Sequence, residues 1–438
     1  MTTPGDQLAL DAEPSTSQSQ QASDSQPAPP LAPATIPPPA GWPEPPAAAA
    51  YHGVCGEIVS KLAPETEADP VAILTQLLVA AGSVIGRGAF FQVEATLHHP
   101  NEFLLLAGDT AKARKGSSFD HVARLLAQAD PAFTARLTTG LSSGEGLIWA
   151  VRDPAGPDPG ALDKRLLVIE PEFATVLKST GRELSTLSPT LRSAWDGRPL
   201  ALLTRTAPAR ATEAHISIIG HITQTELRRH TTTVEIANGF LNRFIFAAVR
   251  RVRLLPEGGD PDPLKGTGLG RYLTSVLKHA HTAGKVTLTP SARDLWWQLY
   301  PQLTQPADGL LGQLTARAEA HVIRLALIYA LLDGQKTIQP EHLHPALALW
   351  DYAQRSASWA LGQTTGDPLA EHIHTALQRS PDGLTRTQIR DLCQRNLPAE
   401  RIEQALTTLA AAGRAHHRRT LTAGRPAELW TAAPAPGA

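Results

Sequence analysis

The residues best suited to chemistry gather in one short loop, Gly108-Asp109-Thr110-Ala111-Lys112-Ala113-Arg114-Lys115-Gly116-Ser117-Ser118. It holds two of the chain's nine lysines, an arginine and a pair of hydroxyls. An apolar run, 103–107, precedes it and reads as a buried strand. The helix that follows carries Phe119, Val122, Ala123 and Leu126 on its apolar face. Strand, glycine loop and helix form a phosphate-binding unit: backbone N–H groups and the positive helix end face the anion, and a lysine neutralises its outer oxygens. Gly108, Thr110, Lys112, Arg114, Lys115, Gly116, Ser117 and Ser118 are therefore the candidate ATP ligands. Ser117 is placed for both helix capping and Mg²⁺ contact. The order Lys115-Gly116-Ser117 departs from the Gly-Lys-Ser/Thr of a regular Walker A loop. Lys115 is the chosen phosphate ligand, with Lys112 and Arg114 as alternatives; a basic surface turn capped by Ser117 would have the same composition.

Other polar residues fall where such a site needs them. The buried-strand run 166–169 ends in Glu170-Pro171-Glu172. Carboxylates at the carboxyl end of a strand stand where open α/β sheets bind ligands. Glu170 is the expected Mg²⁺ contact, and Glu172 the expected catalytic base that orients water. Two solvated acids at a strand end would read the same way. The run 216–219 leads to Thr223 and Gln224, either of which can sense a γ-phosphate. Arg243, just before the run 244–249, is the candidate arginine finger, with Arg228 and Arg229 as competitors and a structural salt bridge as the plain alternative. Further on, Arg317 and Arg324 share one face of a helix and can point at a phosphate from a lid, or pair with Glu319 and Asp294.

Four segments must position these groups. Residues 1–47 are Ser/Gln-rich and then Pro/Ala-rich, with five acids and no Lys or Arg, and read as a disordered tail. Strands alternating with helices over 48–260 argue for a parallel α/β sheet. A Gly/Pro/Asp-rich break precedes 261–362, read as a helical lid. Residues 367–432 read as three helices and a β-hairpin, which resembles a winged helix. There the third helix carries Arg401, and His417, Arg418, Arg419 and Arg425 cluster on the hairpin as DNA-binding candidates. Packing against a protein is the alternative use of such a module.

Composition narrows the setting. Net charge is −1, so any nucleic-acid surface is local; from Asp367 onward nine arginines face seven acids. The two cysteines, Cys55 and Cys393, lack metal-ligand spacing and a disulfide framework. No signal peptide or uninterrupted apolar span of about 18 residues is apparent, so a cytoplasmic protein without a membrane partner is expected.

Segments 105–118, 187–197, 215–227 and 242–244 resemble a family of uncharacterised primase–helicase-like P-loop proteins of actinobacterial chromosomes, phages and plasmids. In that family the loop has this same Arg-Lys-Gly-Ser/Thr-Ser form. The resemblance covers about 51–350 and implies a RecA-like P-loop NTPase core in a homo-oligomer, of which a ring is one form. The expected fold class is thus α/β, a RecA-like core with a helical subdomain and a C-terminal winged helix. The expected function is a DNA-dependent ATPase, helicase- or translocase-like, acting in replication or maintenance of DNA with ATP and Mg²⁺. The alternative is a nucleotide-sensing, DNA-binding initiator or regulator without motor activity; a third option leaves the loop degenerate and only the winged helix functional.

Overall fold

Apolar runs of strand length become strands buried on both faces. The structure, a computed structural model, describes residues 35–110, 112–203, 208–306, 309–362, 367–393, 397–420 and 427–433. Five strands form the central sheet: β1 (Phe103–Gly108), β2 (Leu137–Thr138), β3 (Arg165–Glu170), β4 (His215–Thr223) and β5 (Phe244–Val249). Their spatial order is β2-β3-β4-β1-β5, and every neighbouring pair is parallel. The period of two along β1 sends Leu104 and Leu106 to one core with Val122 and Leu126, and Phe103 and Leu105 to the other with Phe173 and Leu191.

This order sets the geography of the site. Gly108 pairs with Thr223 on one side and Val249 on the other, so the loop leaves the sheet between β4 and β5. Strand β3 lies two strand spacings from β1, about 10 Å, with β4 between them. At Gly220 on β4 a Cβ would come within 2.4 Å of the Phe173 ring, so glycine lets the helix after β3 lie on the sheet.

A second sheet joins the chain's early and late parts. Ala89–Val93 pairs in parallel with Gly284–Leu288, which pairs with Thr337–Ile338; Thr96–His98 closes the other edge. Helices Leu269–Ala280, Ala318–Leu332 and Pro340–Leu361 pack into the same core as Pro70–Ile85. The segment 261–362 is therefore no separate lid; it shares the core of 48–260. Helix Ala318–Leu332 is buried all round, Arg324 included, where an arginine face was expected.

The tail also needs correction over its last part. Thr35 bridges Arg253, the Ile36 N–H donates to Val252 O at 2.9 Å, and Arg250 donates to Ile36 O at 2.6 Å. Trp42 packs on Trp359 with ring centroids 4.6 Å apart. Proline favours an extended chain with free carbonyls, arginines take those carbonyls, and Trp42 adds an apolar anchor. Residues 35–47 are a strap across the core; 1–34 lie outside the described residues.

By length and composition the stretch 70–88 could cross a bilayer, which sequence reading did not anticipate, but it is 89% buried and serves as a core helix. At the C-terminus, helices Pro368–Gln378, Arg386–Leu392 and Ala399–Ala411 enclose a small core with Ile389, Leu406 and Trp430. Strands Leu384–Thr385, Ala427–Ala432 and Ala415–Thr420 complete it, antiparallel, with Ala427–Ala432 in the middle.

Candidate functional site

A cleft of about 340 Å³ opens at the carboxyl edge of the sheet, lined by the loop, Glu172, His221, Thr223 and Glu226 among others. The loop helix runs Lys115–Ala129, and its first internal bond is Ser118 N–H to Arg114 O. The N–H groups of Lys115, Gly116 and Ser117 thus precede the intrahelical ladder, at the positive end of the helix dipole. Arg114 stands just before it in the left-handed region at φ 57°, a position that costs an L-residue about 1–3 kcal/mol. Its guanidinium Nε donates to Glu67 Oε2 at 2.7 Å, which helps hold that conformation.

Lys115 is 8% exposed and folds back so that Nζ donates to Thr110 O at 3.3 Å. Burial pulls its pKa below the ordinary lysine value, against the carboxylates of Asp109, Glu226 and Glu172. A Cβ on Gly108 would lie 2.8 Å from Lys115 Nζ and from Ala113 Cβ, so glycine there makes room for the lysine to return. Lys112, Gly116 and Ser117 line the cleft as expected. Thr110 shapes the loop instead: its hydroxyl accepts from the Lys112 N–H at 3.3 Å, and its carbonyl holds Lys115.

Ser118 is not brought to the cleft. It is fully buried, its Oγ accepting from Gln76 Nε2 at 2.6 Å and donating to Lys115 O at 2.7 Å. Of the two acids, Glu172 is exposed and lines the cleft. Glu170 turns away: its Oε1 accepts from the Leu141 N–H at 2.6 Å, anchoring the loop after β2. Burial raises its pKa, opposed by backbone N–H groups of Leu141 and Gly140. The expected metal contact is thus a loop anchor. Thr223 lines the cleft, but its hydroxyl is spent in a capping box with Glu226, donating to Oε2 at 2.7 Å and accepting from the Glu226 N–H at 3.2 Å. Gln224 leaves the cleft, donating to Trp359 O at 2.8 Å, and Arg228 donates to Ala360 O and Trp359 O; both cap the long helix Pro340–Leu361. Arg229 is exposed on the same short helix.

The remaining arginines lie at the opposite, amino edge, a strand length of about 20 Å away. Arg243 precedes β5, is 5% exposed, and pairs with Asp196 at 3.0 Å. Arg317 lies 3.6 Å from the same Asp196. Arg324 donates to Asn101 O at 2.7 Å and to Trp195 O at 3.0 Å, with its guanidinium 3.8 Å over the Trp195 ring. Burial lowers even its pKa to about 10. Glu102 Oε2 accepts from Trp195 Nε1 at 3.2 Å and bonds His321 Nδ1 at 2.9 Å. None of these three arginines reaches the cleft within one protomer, and each is engaged in the fold.

Sequence reading missed three residues here: His221 and Glu226, which line the cleft, and Gln76, fully buried behind it against His221 and Ser118. Glu226 carries a pKa lowered first by the Thr223 hydroxyl. The signal for Gln76 and His221 was present, a polar residue inside an otherwise apolar run of helix or strand.

In the C-terminal module the partly exposed Arg401 is engaged in an ion pair: its Nη1 donates to Asp367 Oδ2 at 2.9 Å. The third helix exposes Glu400, Glu403, Gln404 and Thr407. His417 and Arg418 are exposed on the strand Ala415–Thr420, His417 stacking on Trp430 at 4.8 Å. Arg419 pairs in register with Glu428, and Arg425 lies outside the described residues.

One group outside the cleft has metal-ligand residue types, His52, Asp333 and His342. His52 Nε2 and His342 Nε2 lie 2.6 and 3.3 Å from Asp333 Oδ2. The Gln339 backbone N–H donates to His342 Nδ1 at 2.9 Å, so in the neutral ring Nε2 carries the proton and offers no lone pair to a cation. The group is a hydrogen-bonded clasp between helix ends. No family model matches the chain, and no curated protein matches it either.

Proposed function

We propose that the carboxyl-edge cleft binds the phosphates of ATP, and that the chain is a DNA-dependent ATPase, helicase- or translocase-like, acting in replication or maintenance of DNA. The observation that carries this reading is Lys115, folded back over its own loop at a helix N-terminus, with Glu172 and Glu226 across the cleft. The N–H groups of Lys115, Gly116 and Ser117 hold phosphate oxygens, and the ammonium neutralises them. Ser117 is the hydroxyl for Mg²⁺, which supplies charge neutralisation; Glu172 orients and deprotonates the attacking water. The parallel order of the sheet supports a RecA-like P-loop core. The order of helices and strands at 367–432 supports a winged helix whose hairpin, through His417, Arg418 and its neighbours, touches DNA phosphates. A homo-oligomer working in the cytoplasm, with a ring as one form it can take, completes the reading.

Phosphate release with Mg²⁺, measured alone and with single- and double-stranded DNA, tests it. DNA-stimulated turnover that is lost in Lys115→Ala and Glu172→Gln is expected; absent turnover, or turnover indifferent to both substitutions, contradicts it. A second reading, a nucleotide-sensing regulator without motor activity, is favoured by one observation: Glu170, the acid at the strand tip, holds a backbone loop and not the cleft. Nucleotide binding without turnover would select it.

A further inference from the structure

Helix Pro70–Ile85 is the most thoroughly apolar environment around the site, and a glutamine sits in it with no exposed surface. A buried amide is costly unless every polar atom finds a partner. Gln76 does: Nε2 donates to Ala72 O at 2.9 Å and to Ser118 Oγ at 2.6 Å, and Oε1 meets His221 Nε2 at 3.2 Å. The Ala72 carbonyl can only accept, so it fixes which end of the amide is nitrogen. The oxygen must then face His221, and His221 Nε2 must carry a proton to donate. On the other branch Ser118 passes its own proton to Lys115 O at 2.7 Å, inside the first turn of the loop helix. One amide therefore touches both walls of the cleft, the loop helix and strand β4.

We propose that Gln76 is the positioning residue of this cleft: it clamps the loop helix through Ser118 and fixes His221 as the Nε2–H tautomer, so that His221 meets a ligand as a hydrogen-bond acceptor. With Nε2 committed, Nδ1 keeps the lone pair of the neutral ring. An acceptor beside Lys115 repels a phosphate oxygen and attracts a donor, such as a water or the ammonium itself. The cleft is then sorted, with anion sites on the helix side and a donor site on the β4 side. Burial, and then the Lys115 charge, hold His221 neutral with a pKa pushed down to about 4. The effect on nucleotide rests on the reading of the cleft given above; the tautomer does not.

Nitrogen-15 spectra of the histidines in the full chain read the tautomer directly, with His221→Gln assigning the signal. Wild type is expected to show the Nε2–H form at neutral pH. Gln76→Leu is expected to release it to a mixture of tautomers and to weaken Mg·ATP binding about tenfold, roughly the net worth of one hydrogen bond. Ser118→Ala is expected to weaken binding while leaving the tautomer unchanged. If Gln76→Leu does not fold, Gln76→Glu serves: its carboxylate draws a second proton onto His221, giving the doubly protonated ring at a pH where wild type is neutral. An Nδ1–H form in wild type, or an unaltered His221 signal in whichever Gln76 variant folds, overturns the proposal. A released tautomer in a protein that binds no ATP, wild type included, upholds the positioning and sinks the nucleotide reading instead.

Discussion

The two ends of the central sheet use the same residue types in opposite ways. At the amino edge Arg243 and Arg317 pair with Asp196, Arg324 donates to the carbonyls of Asn101 and Trp195, and Glu102 bonds His321. At the carboxyl edge Lys115, Glu172 and Glu226 face one another across an open cleft, and the first N–H groups of a helix precede its ladder. Charges satisfied internally hold a structure together. Charges and dipoles converging on solvent are prepared for a ligand. Location alone separates the two roles, since both edges hold cations within reach of carboxylates.

That contrast can be broken first where it is strongest. Arg324→Ala leaves the buried carbonyls of Asn101 and Trp195 without their guanidinium donor and is expected to lower unfolding free energy by about 2–5 kcal/mol, read by denaturant titration. A loss under 1 kcal/mol would mean the amino edge is not a structural keystone. Acid is the next lever. The folded pKa of His221 is about 4, and those of His98 and His99 are also about 4, against 6.5 for an ordinary histidine. The unfolded chain takes up protons between pH 6.5 and 4 that the folded chain refuses, so stability falls as pH drops through that window. Each such histidine contributes up to about 3 kcal/mol, and His221→Gln should flatten the pH dependence by one share in thermal melts.

Glu172→Gln sharpens the other side. Removing a general base is expected to cut turnover about 100-fold or more while nucleotide binding persists, measured by phosphate release alongside a binding titration. Equal loss of both would recast Glu172 as a binding residue. The smallest effect is expected at Arg401. Its ion pair with Asp367 is partly exposed, so Arg401→Ala should cost about 1 kcal/mol or less and leave DNA affinity alone. Arg418→Ala should instead lower the salt dependence of DNA binding by about one phosphate contact. A reversed pair of results would restore the third helix as the reading element.

Much of this geography could be read from residues alone. The run 103–107, the loop after it and the helix start at Lys115 were legible because strand, glycine loop and helix are local, and a local pattern carries its geometry with it; that Lys115 and Glu172 line one cleft follows from both standing at carboxyl ends of parallel strands. Glu170 reads as a cleft acid in the sequence because strand periodicity gives it the same face as Glu172; in the structure β3 ends at Glu170, whose carboxylate takes the Leu141 N–H, while Glu172 lies beyond the strand at the start of helix Phe173–Thr180. Arg243, Arg317 and Arg324 read as candidate phosphate ligands because sequence shows that an arginine adjoins a strand or shares a helix face, not which end of the sheet it occupies relative to the loop. Gln76 and His221 lie 145 positions apart, and only the packing of helix Pro70–Ile85 on β4 joins them. The second sheet escaped for the same reason, since its strands come from 89–98, 284–288 and 337–338.

The most direct test of the claim that the carboxyl edge, and not the arginine-rich amino edge, receives the nucleotide is calorimetric titration of Mg·ATP into two variants. Lys115→Ala is expected to weaken binding about 10- to 100-fold, the value of a charge-assisted contact. Arg317→Ala, at a side chain 34% exposed and so tolerable to the fold, is expected to bind as wild type does. Full affinity in Lys115→Ala together with a loss in Arg317→Ala would contradict the account.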